Sequence, residues 1–306
     1  EDIVGQYEEI YKSYFILVDS RLRGNDTLEK KIRVMHLASN PEWAGAEVHL
    51  ATLAEGLVNE NGIEVSVCLF HNGKLVRHLN EKGIDVRVLK LKWLFDISVI
   101  FKIAKLLKKK NINILHTHGY KANCIGTLAA LINGKAVCVK TEHGPSEPFT
   151  GFDKIKMRFY EFVDYLLSRC LVKRIIAVSR DIKKNITHSY SEEKVTVIHN
   201  GINFPEPSSF NNASLKRELG ISEGDFVIGI VGRLVPVKGH EYFINAARIV
   251  LQKRQDVKFL IVGDGPLRKG LERKILEDNL SKFVKCIGFR NDILDLVRIM
   301  DLVVFS

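Results

Sequence analysis

Short runs of apolar, often β-branched residues alternate with longer amphipathic stretches along most of this chain. Nearly every run is followed by a stretch whose apolar positions recur with helical periodicity. This order is typical of parallel sheets covered by helices. Before residue 200 it predicts strands at 32–38, 64–70, 85–91, 112–117, 136–141, 175–179 and 195–199. Helices are predicted between them at 46–60, 97–110, 120–132, 153–170 and 180–189.

The pattern is interrupted at residues 203–209, where Asn, Pro and Ser predominate, and then starts again. After the interruption, strands are predicted at 226–231, 258–262, 284–287 and 302–305, with helices at 239–254, 266–279 and 291–300. We therefore expect an α/β protein made of two doubly wound, Rossmann-like domains, 31–203 and 211–306, joined by a linker at 204–210. The second domain should be incomplete, because the chain ends at its fourth strand. Ligands of such domains bind beyond the carboxyl ends of the strands.

The first thirty residues show no alternation of strands and helices, and we expect an irregular N-terminal extension at 1–30. Within it, residues 4–14 carry the pattern of one amphipathic helix.

Composition narrows the class of protein. Hydrophobic residues make up 46% and charged residues 27% of the 306 residues, which excludes disordered, collagen-like and channel proteins. Lys+Arg 46 minus Asp+Glu 36 gives a net charge of +10, so anionic partners such as phosphate groups, nucleic acid or an acidic membrane surface are favoured. The five cysteines form no Cys-x-x-Cys pair, which indicates a reducing, cytoplasmic compartment.

Two of the predicted helices are rich in cations. Residues 101–110 place lysines beside apolar positions, and residues 154–174 mix cations with aromatics. Such helices either lie on an anionic membrane or expose an ordinary solvated face. Nucleic acid is not expected as a partner, because no basic stripe with stacking aromatics is present.

Glycine-containing loops with cations follow several predicted strands. Gly45 precedes a helix, where it either lets phosphate approach the helix N-terminus or makes an ordinary turn. Arg233 and Lys238 follow the strand 226–231 just before a helix, a position suited to a diphosphate, although solvated surface cations are the alternative. The loop of Gly263, Asp264, Gly265 and Pro266 allows a nucleotide to approach the backbone, or is a tight turn.

Histidines end two strands of the first domain. His116 and His118 flank Thr117, and His143 follows Thr141-Glu142. No carboxylate or cysteine cluster completes a metal site, so no metal is predicted. The alternatives for these side chains are a hydrogen bond to a sugar hydroxyl or one to a backbone carbonyl.

The order of these motifs resembles one family. The chain carries, in sequence, Trp43-Ala44-Gly45-Ala46-Glu47, His116-Thr117-His118-Gly119, Thr141-Glu142-His143-Gly144, Val178-Ser179, Val197-Ile198-His199-Asn200-Gly201-Ile202, Gly232-Arg233-Leu234 with Lys238-Gly239, Gly263-Asp264-Gly265-Pro266, and Gly288-Phe289-Arg290 with Asp301-Leu302. Over residues 31–306 it resembles the retaining glycosyltransferases of family 4, which have the GT-B fold.

That resemblance implies a reaction and roles for individual residues. A sugar would move, with retention and without a metal or other cofactor, from a UDP- or GDP-sugar to a cell-surface glycan or lipid-linked acceptor. Arg233 and Lys238 would hold the donor diphosphate, with Gly45 opposite them. His143 would contact the transferred sugar, with His118 on the acceptor side, and 263–266 would be the nucleotide-side loop. The enzyme would be cytoplasmic, with peripheral contact to the inner face of the membrane.

The chain departs from the family at its C-terminal end. The family's Glu-x7-Glu motif would begin just after Ser306, which predicts a chain truncated before it. Ile3 to Tyr11 resembles the terminal helix that would follow. Two other functions therefore remain: an inactive remnant that at most binds nucleotide, and a GT-B nucleotide-sugar epimerase, which would need acid–base carboxylates.

Overall fold

The computed structural model describes residues 2–19, 31–39, 45–92, 96–144, 152–201 and 212–305. The chain forms two compact units, Glu1–Asn203 and Phe204–Ser306. The predicted linker at 204–210 lies outside the described residues.

The first unit is built around one parallel sheet with the strand order β3-β2-β1-β4-β5-β6-β7. The chain begins at the centre of the sheet and proceeds to one edge before it crosses to the other side of β1. This reversal creates a switch point between β1 and β4, where doubly wound folds bind their ligands. The strands are β1 (Ile32–Ala38), β2 (Ile63–Leu69), β3 (Asp85–Val88), β4 (Ile114–His118), β5 (Val137–Glu142), β6 (Val172–Ala177) and β7 (Val195–Val197).

Helices connect these strands and cover both faces of the sheet. Asp96 begins α4 by accepting a hydrogen bond from the Ser98 N–H, and Ser179 begins α7 in the same way through Ile182. A short 3-10 helix, Glu192–Lys194, precedes β7. The helices are α1 (Ile3–Asp19), α2 (Gly45–Val58), α3 (Lys74–Glu81), α4 (Ile97–Lys109), α5 (Tyr120–Asn133), α6 (Phe152–Leu171) and α7 (Arg180–Thr187).

The N-terminal segment is a correction to the irregular extension expected at 1–30. Residues 3–19 form α1, in agreement with the amphipathic pattern at 4–14, and residues 20–30 lie outside the described part. Tyr7 and Tyr11 are fully buried in a core that also contains Val34 of β1 and Leu57 of α2. Burial of two aromatic rings in the core explains why this short segment takes up ordered structure.

The second unit repeats the same principle in a four-stranded parallel sheet of order β10-β9-β8-β11. Its switch point lies between β8 and β11. The strands are β8 (Phe226–Val231), β9 (Val257–Val262), β10 (Val284–Gly288) and β11 (Leu302–Val303). The helices are α8 (Asn212–Glu218), α9 (His240–Leu251), α10 (Arg268–Glu277) and α11 (Ile293–Arg298), with a short 3-10 helix at Pro236–Lys238.

Both units are therefore Rossmann-like, as the sequence predicts. Among the described residues, no helix combines the length and apolar character needed to span a bilayer. All five cysteines are unpaired.

Candidate functional site

A row of histidines lies on one face of the first sheet, towards the carboxyl ends of its strands. His116 and His118 are two residues apart on β4, so both side chains point to the same face. The register of the sheet places His36 of β1 directly beside His116. His49 of α2 and His143, just after β5, complete the group, with their ring centroids 5.3 Å apart.

Three of these rings form a hydrogen-bonded chain. His36 Nδ1 lies 3.1 Å from His118 Nε2, and His118 Nδ1 lies 3.3 Å from His143 Nε2. His36 and His118 are buried, whereas His143 is partly exposed. The structure thus brings together the two predicted histidines, His118 and His143, and adds His36.

Two tyrosines of α1 bind the remaining histidines. Tyr11 Oη lies 2.7 Å from His116 Nδ1, and the other nitrogen of that ring, Nε2, lies 2.7 Å from Thr141 Oγ1. Tyr7 Oη lies 3.2 Å from His49 Nε2. These contacts join α1 to α2, β4 and β5 through polar atoms inside an otherwise apolar core.

Burial keeps these histidines neutral. It lowers the pKa of His36 and of His49 to about 3, and that of His143 to about 4. Burial also lowers the pKa of His116 and His118 well below the usual range, with the neighbouring histidines adding to the effect. A neutral imidazole has one N–H donor and one acceptor nitrogen, so these side chains suit hydrogen bonding to hydroxyl groups.

Three of these histidines lie close enough together to bind a metal ion through their ring nitrogens. His36, His116 and His118 each bring a ring nitrogen to within 4.8 Å of the other two. However, both nitrogens of His116 are hydrogen bonded to Tyr11 and Thr141, and those of His118 to His36 and His143. A metal ion would have to displace several of these bonds. That the reaction needs no metal stays a prediction.

Gly45 is the first residue of α2. Among the described residues other than its chain neighbours and its own helix backbone, no atom lies within 4 Å of the place where a Cβ would be. Residues 40–44, which precede it, lie outside the described part. Glu47, in the first turn of the same helix, is buried.

The second unit places its predicted cations at the carboxyl edge of its sheet. Arg233 follows β8 and is half-buried, and Lys238 ends the short 3-10 helix and is exposed. Gly239, with φ +63°, turns the chain into α9. Two cations therefore lie between the end of a strand and the beginning of a helix, close to the switch point of this sheet.

The loop after β9 packs directly against the Arg233 segment. The Leu234 N–H donates to the Asp264 carbonyl at 3.0 Å, and the Leu267 N–H donates to the Leu234 carbonyl at 3.1 Å. A Cβ on Gly263 would lie 1.9 Å from the Gly232 carbonyl oxygen. Only glycine allows this approach, so 263–266 and the Arg233 segment form one surface.

Asp264 has a structural partner within this loop. Its carboxylate accepts hydrogen bonds from the Gly265 N–H at 2.8 Å and from Arg268 Nη1 at 3.1 Å. Pro266, which is exposed, continues the loop towards α10.

Several residues of these sites are absent from the sequence predictions. His36, His49, Tyr7 and Tyr11 were not singled out, because a lone histidine or tyrosine in an apolar pattern carries no signal of its partner. His240, the first residue of α9, is buried, and neither ring nitrogen has a partner within the described residues. The sequence signal for it is its place directly after Lys238-Gly239.

Lys140 forms a second polar network on the opposite face of β5. Its ammonium lies 2.5 Å from Asp164 Oδ2 and 2.9 Å from Glu142 Oε2. Burial by itself lowers the pKa of Lys140, but these two carboxylates raise it above its ordinary value, so the lysine stays charged. Asn123 donates to the other Asp164 oxygen at 2.8 Å, which ties α5 to α6.

Two successive Rossmann-like units with loops at their carboxyl edges define the class of GT-B proteins, and the comparisons with known proteins agree. The Glycosyltransferase Family 4 profile matches residues 43–204, and that of Glycosyl transferases group 1 matches residues 211–306. The chain belongs to glycosyltransferase family 4.

Individual relatives extend over most of the chain. The UDP-Gal:alpha-D-GlcNAc-diphosphoundecaprenol alpha-1,3-galactosyltransferase of Escherichia coli is 29% identical over 284 residues, which cover 90% of this chain and 73% of the relative. The capsular polysaccharide biosynthesis glycosyltransferase CapH of Staphylococcus aureus is 27% identical, with 90% and 74% covered. The crystal structure of Anabaena Alr3699/HepE in complex with UDP-glucose superposes with a TM-score of 0.76 at 24% identity, covering 90% of this chain and 74% of that one. At this identity the structural match shows the fold.

Proposed function

We propose that this protein transfers a sugar from a UDP-sugar to a lipid-linked saccharide acceptor, with retention of configuration. The observation that carries the proposal is the carboxyl edge of the second sheet, where Arg233, Lys238 and the loop 263–266 form one surface. The relatives support the substrate classes. The Escherichia coli enzyme is named for a UDP-galactose donor and a diphosphoundecaprenol-linked acceptor, and the Anabaena protein was crystallised with UDP-glucose.

In this proposal, Arg233 and Lys238 hold the donor diphosphate. When the bond from the anomeric carbon to the phosphate oxygen breaks, negative charge grows on that oxygen. Two nearby cations stabilise this charge more strongly than they stabilise the bound donor, which lowers the barrier. The glycine loop 263–266 lies against the nucleotide side, and Gly45 leaves space for the phosphates.

His143 contacts the transferred sugar, and His118 lies on the acceptor side. The acceptor oxygen bonds to the anomeric carbon on the face that the diphosphate leaves, and its proton passes to the leaving phosphate oxygen. Configuration is therefore retained, and no metal is needed to balance the reaction. The low pKa of His143 keeps its imidazole neutral, so it accepts or donates one hydrogen bond without adding charge.

We also propose that α6 rests on the anionic inner membrane surface, where a lipid-linked acceptor is found. Its exposed apolar residues recur on one helix face, and Lys156 and Arg158 are exposed on the same helix. An apolar stripe with nearby cations fits the interface of an anionic bilayer. The stripe consists of Ile155, Phe159, Phe162 and Leu166.

Calorimetric titration of the 306-residue chain with UDP and with GDP tests the diphosphate site. We expect UDP to bind, and the double variant Arg233→Ala/Lys238→Ala to lose about 3 kcal/mol of binding free energy, which is roughly a hundredfold in Kd. Lys253→Ala is the matched control, because it removes one exposed cation of the same unit at the amino end of β9. Unchanged affinity in the double variant would show that these cations do not hold the diphosphate.

Turnover is the second part of the test. The product from a UDP-sugar and a lipid-linked diphosphosaccharide, analysed for its anomeric configuration, distinguishes retention from inversion. Binding of UDP without transfer to any such acceptor would favour the inactive remnant.

A further inference from the structure

The chain from His36 through His118 to His143 links the buried interior of the first sheet to the partly exposed histidine that contacts the sugar in the proposed function. The inference below rests on that function. His36 Nε2, at the inner end of the chain, is buried without a partner among the residues that the structure describes. His143 Nδ1, at the outer end, is the ring nitrogen left over once Nε2 bonds to His118.

The number of protons in this chain restricts its arrangement. All three rings are neutral, so each has one N–H, and each of the two hydrogen bonds needs one donor and one acceptor. If His118 carries its proton on Nε2, it donates to His36 and accepts from His143. If it carries the proton on Nδ1, both bonds reverse. The three tautomers therefore change together.

We propose that His36 and His118 are positioning residues that hold His143 in the Nε2–H form. When His118 carries its proton on Nε2, all three rings take the Nε2–H tautomer, which neutral histidine favours in water. The reverse direction requires three Nδ1–H rings. Among the described residues, His36 Nε2 is without a partner in both directions, as an N–H without an acceptor in the first and as an unprotonated nitrogen without a donor in the second.

The outer end of the chain then presents His143 Nδ1 as a hydrogen-bond acceptor. An acceptor nitrogen selects a hydroxyl group of the sugar, which donates to it, over an ether or carbonyl oxygen, which cannot. A buried chain gives this selection without a charged residue near the anomeric centre. His36, which touches no substrate, acts by fixing the proton on His118.

Nuclear magnetic resonance of the chain labelled with nitrogen-15 histidine tests the proposal directly. The nitrogen shifts and long-range couplings of each ring report which nitrogen carries the proton. We expect Nε2–H in His36, His118 and His143, in chelator-treated protein without nucleotide. An Nδ1–H form of His143, or different tautomers within the chain, overturns the proposal. This measurement needs no activity, so it is separate from the test of the function.

A matched pair of variants then tests the role of His36. Asn places its amide oxygen where His36 Nδ1 lies and still accepts from His118, whereas Leu has a similar size but no acceptor. We expect His36→Leu to shift His143 towards Nδ1–H and to lower kcat about tenfold, because the loss of one ordinary hydrogen bond to the sugar in the transition state changes a rate by about that factor. The affinity for UDP should stay unchanged, because its proposed ligands lie in the other unit.

His36→Asn should keep both the tautomer of His143 and kcat close to those of the unaltered chain. An unchanged His143 tautomer in His36→Leu contradicts the positioning role, as does an equal loss in both variants. If UDP binding or transfer fails in the unaltered chain, the proposed function fails while the tautomer result still stands.

Discussion

At the residue scale, Gly263 is the position where the backbone of the loop 263–266 leaves least room. Its φ is +140°, and an added Cβ would meet the Gly232 carbonyl oxygen at 1.9 Å. The atoms nearest to this Cβ belong to the backbone of Gly232 and Arg233, so they cannot rotate away as a side chain could. Gly263→Ala must therefore separate the loop from the Arg233 segment. We expect a loss of about 3 kcal/mol in the free energy of unfolding, measured by urea denaturation, and weaker binding of UDP in calorimetry.

Gly270→Ala is the control for this change. Gly270 lies within α10 and is exposed, and no atom of the described residues outside its own helix backbone lies within 4 Å of its Cβ position. Alanine should raise the stability by about 1 kcal/mol there, because it is the better helix former. Equal effects at the two positions would mean that the close approach at Gly263 carries no strain.

The histidines on the first sheet show which residues of a site can be predicted from the sequence and which cannot. The pattern His116-Thr117-His118 predicts two side chains on one strand face, and His118 and His143 do lie together. His36 lies within an apolar strand pattern, and only the register between β1 and β4 places it beside His116. Register depends on contacts between distant parts of the chain, so the sequence alone does not disclose this partner.

At the scale of elements, strands with continuous apolar runs were predictable, whereas two short helices, α3 and α8, and the full length of α1 were not. The bounds predicted for β1 and β8 are confirmed, because turn formers end both runs. The eight-residue helix α3 was not predicted, although α7, which has the same length, was predicted at 180–189. The full extent of α1 depends on partners more than forty residues away, among them His49 and His116.

Removal of the Tyr11 hydroxyl group tests how much its hydrogen bond to His116 stabilises the packing of α1. Tyr11→Phe keeps the ring in the core but leaves His116 Nδ1 buried without its partner. We expect a loss of about 2 kcal/mol in the free energy of unfolding, within the range for an unsatisfied buried polar group. Thermal and urea denaturation measure the change.

Tyr14→Phe is the comparison on the same helix. The Tyr14 hydroxyl contacts Arg174 Nε at 3.1 Å and is only part-buried, so water replaces the lost bond. Its loss should cost less than 1 kcal/mol, at about the level of an ordinary exposed hydrogen bond. A similar cost for both variants would mean that Tyr11 contributes through its ring alone.

The proposed membrane contact belongs to one helix, α6. Ile155 and Phe162 are exposed by 67% and 56%, so serine there removes apolar surface without opening the core. We expect Ile155→Ser/Phe162→Ser to reduce binding to vesicles of phosphatidylglycerol and phosphatidylcholine about tenfold, as the loss of two interfacial apolar anchors implies. Cosedimentation measures the bound fraction.

Ile249→Ser provides the matched control, because Ile249 is equally exposed, at 58%, on α9 of the other unit. Vesicles of phosphatidylcholine alone should bind the unaltered chain weakly, since they lack the anionic charge that attracts Lys156 and Arg158. Equal binding by the unaltered chain and the α6 variant would exclude this helix as the contact.

At the scale of the whole molecule, the succession of two Rossmann-like units was predictable because each repeats the same alternation of strands and helices. The motifs at the carboxyl ends of strands were predictable for the same reason, since that edge of a parallel sheet carries the loops. The polar networks inside the core of the first unit were not predictable from the sequence. Lys140 and Asp164, for example, lie 24 residues apart in the chain, and only the fold brings them, together with Asn123, into one hydrogen-bonded network.

The histidine row also makes the stability of the folded chain depend on pH. In the folded state the pKa of His36 and His49 is about 3 and that of His143 about 4, whereas an unfolded histidine titrates near 6.5. Below pH 6.5 the unfolded chain therefore binds protons that the folded chain excludes. The stability is fully present above pH 6.5 and falls as the pH is lowered, by up to about 1.4 kcal/mol per pH unit for each such histidine.

Urea denaturation at pH 7.5, 6.0 and 5.0 measures this slope in a range above the usual carboxylate pKa values, so paired Asp and Glu residues contribute little to it. We expect the free energy of unfolding to fall steeply between pH 6.5 and 5.0. His116 and His118 contribute to this loss, because burial lowers their pKa too. His49→Gln should make the slope shallower by up to about 1.4 kcal/mol per pH unit, since one proton fewer is taken up on unfolding. A free energy of unfolding that stays constant from pH 7.5 to 5.0 would mean that these imidazoles accept protons inside the fold, and the neutral hydrogen-bonded row would then be the wrong description of the site.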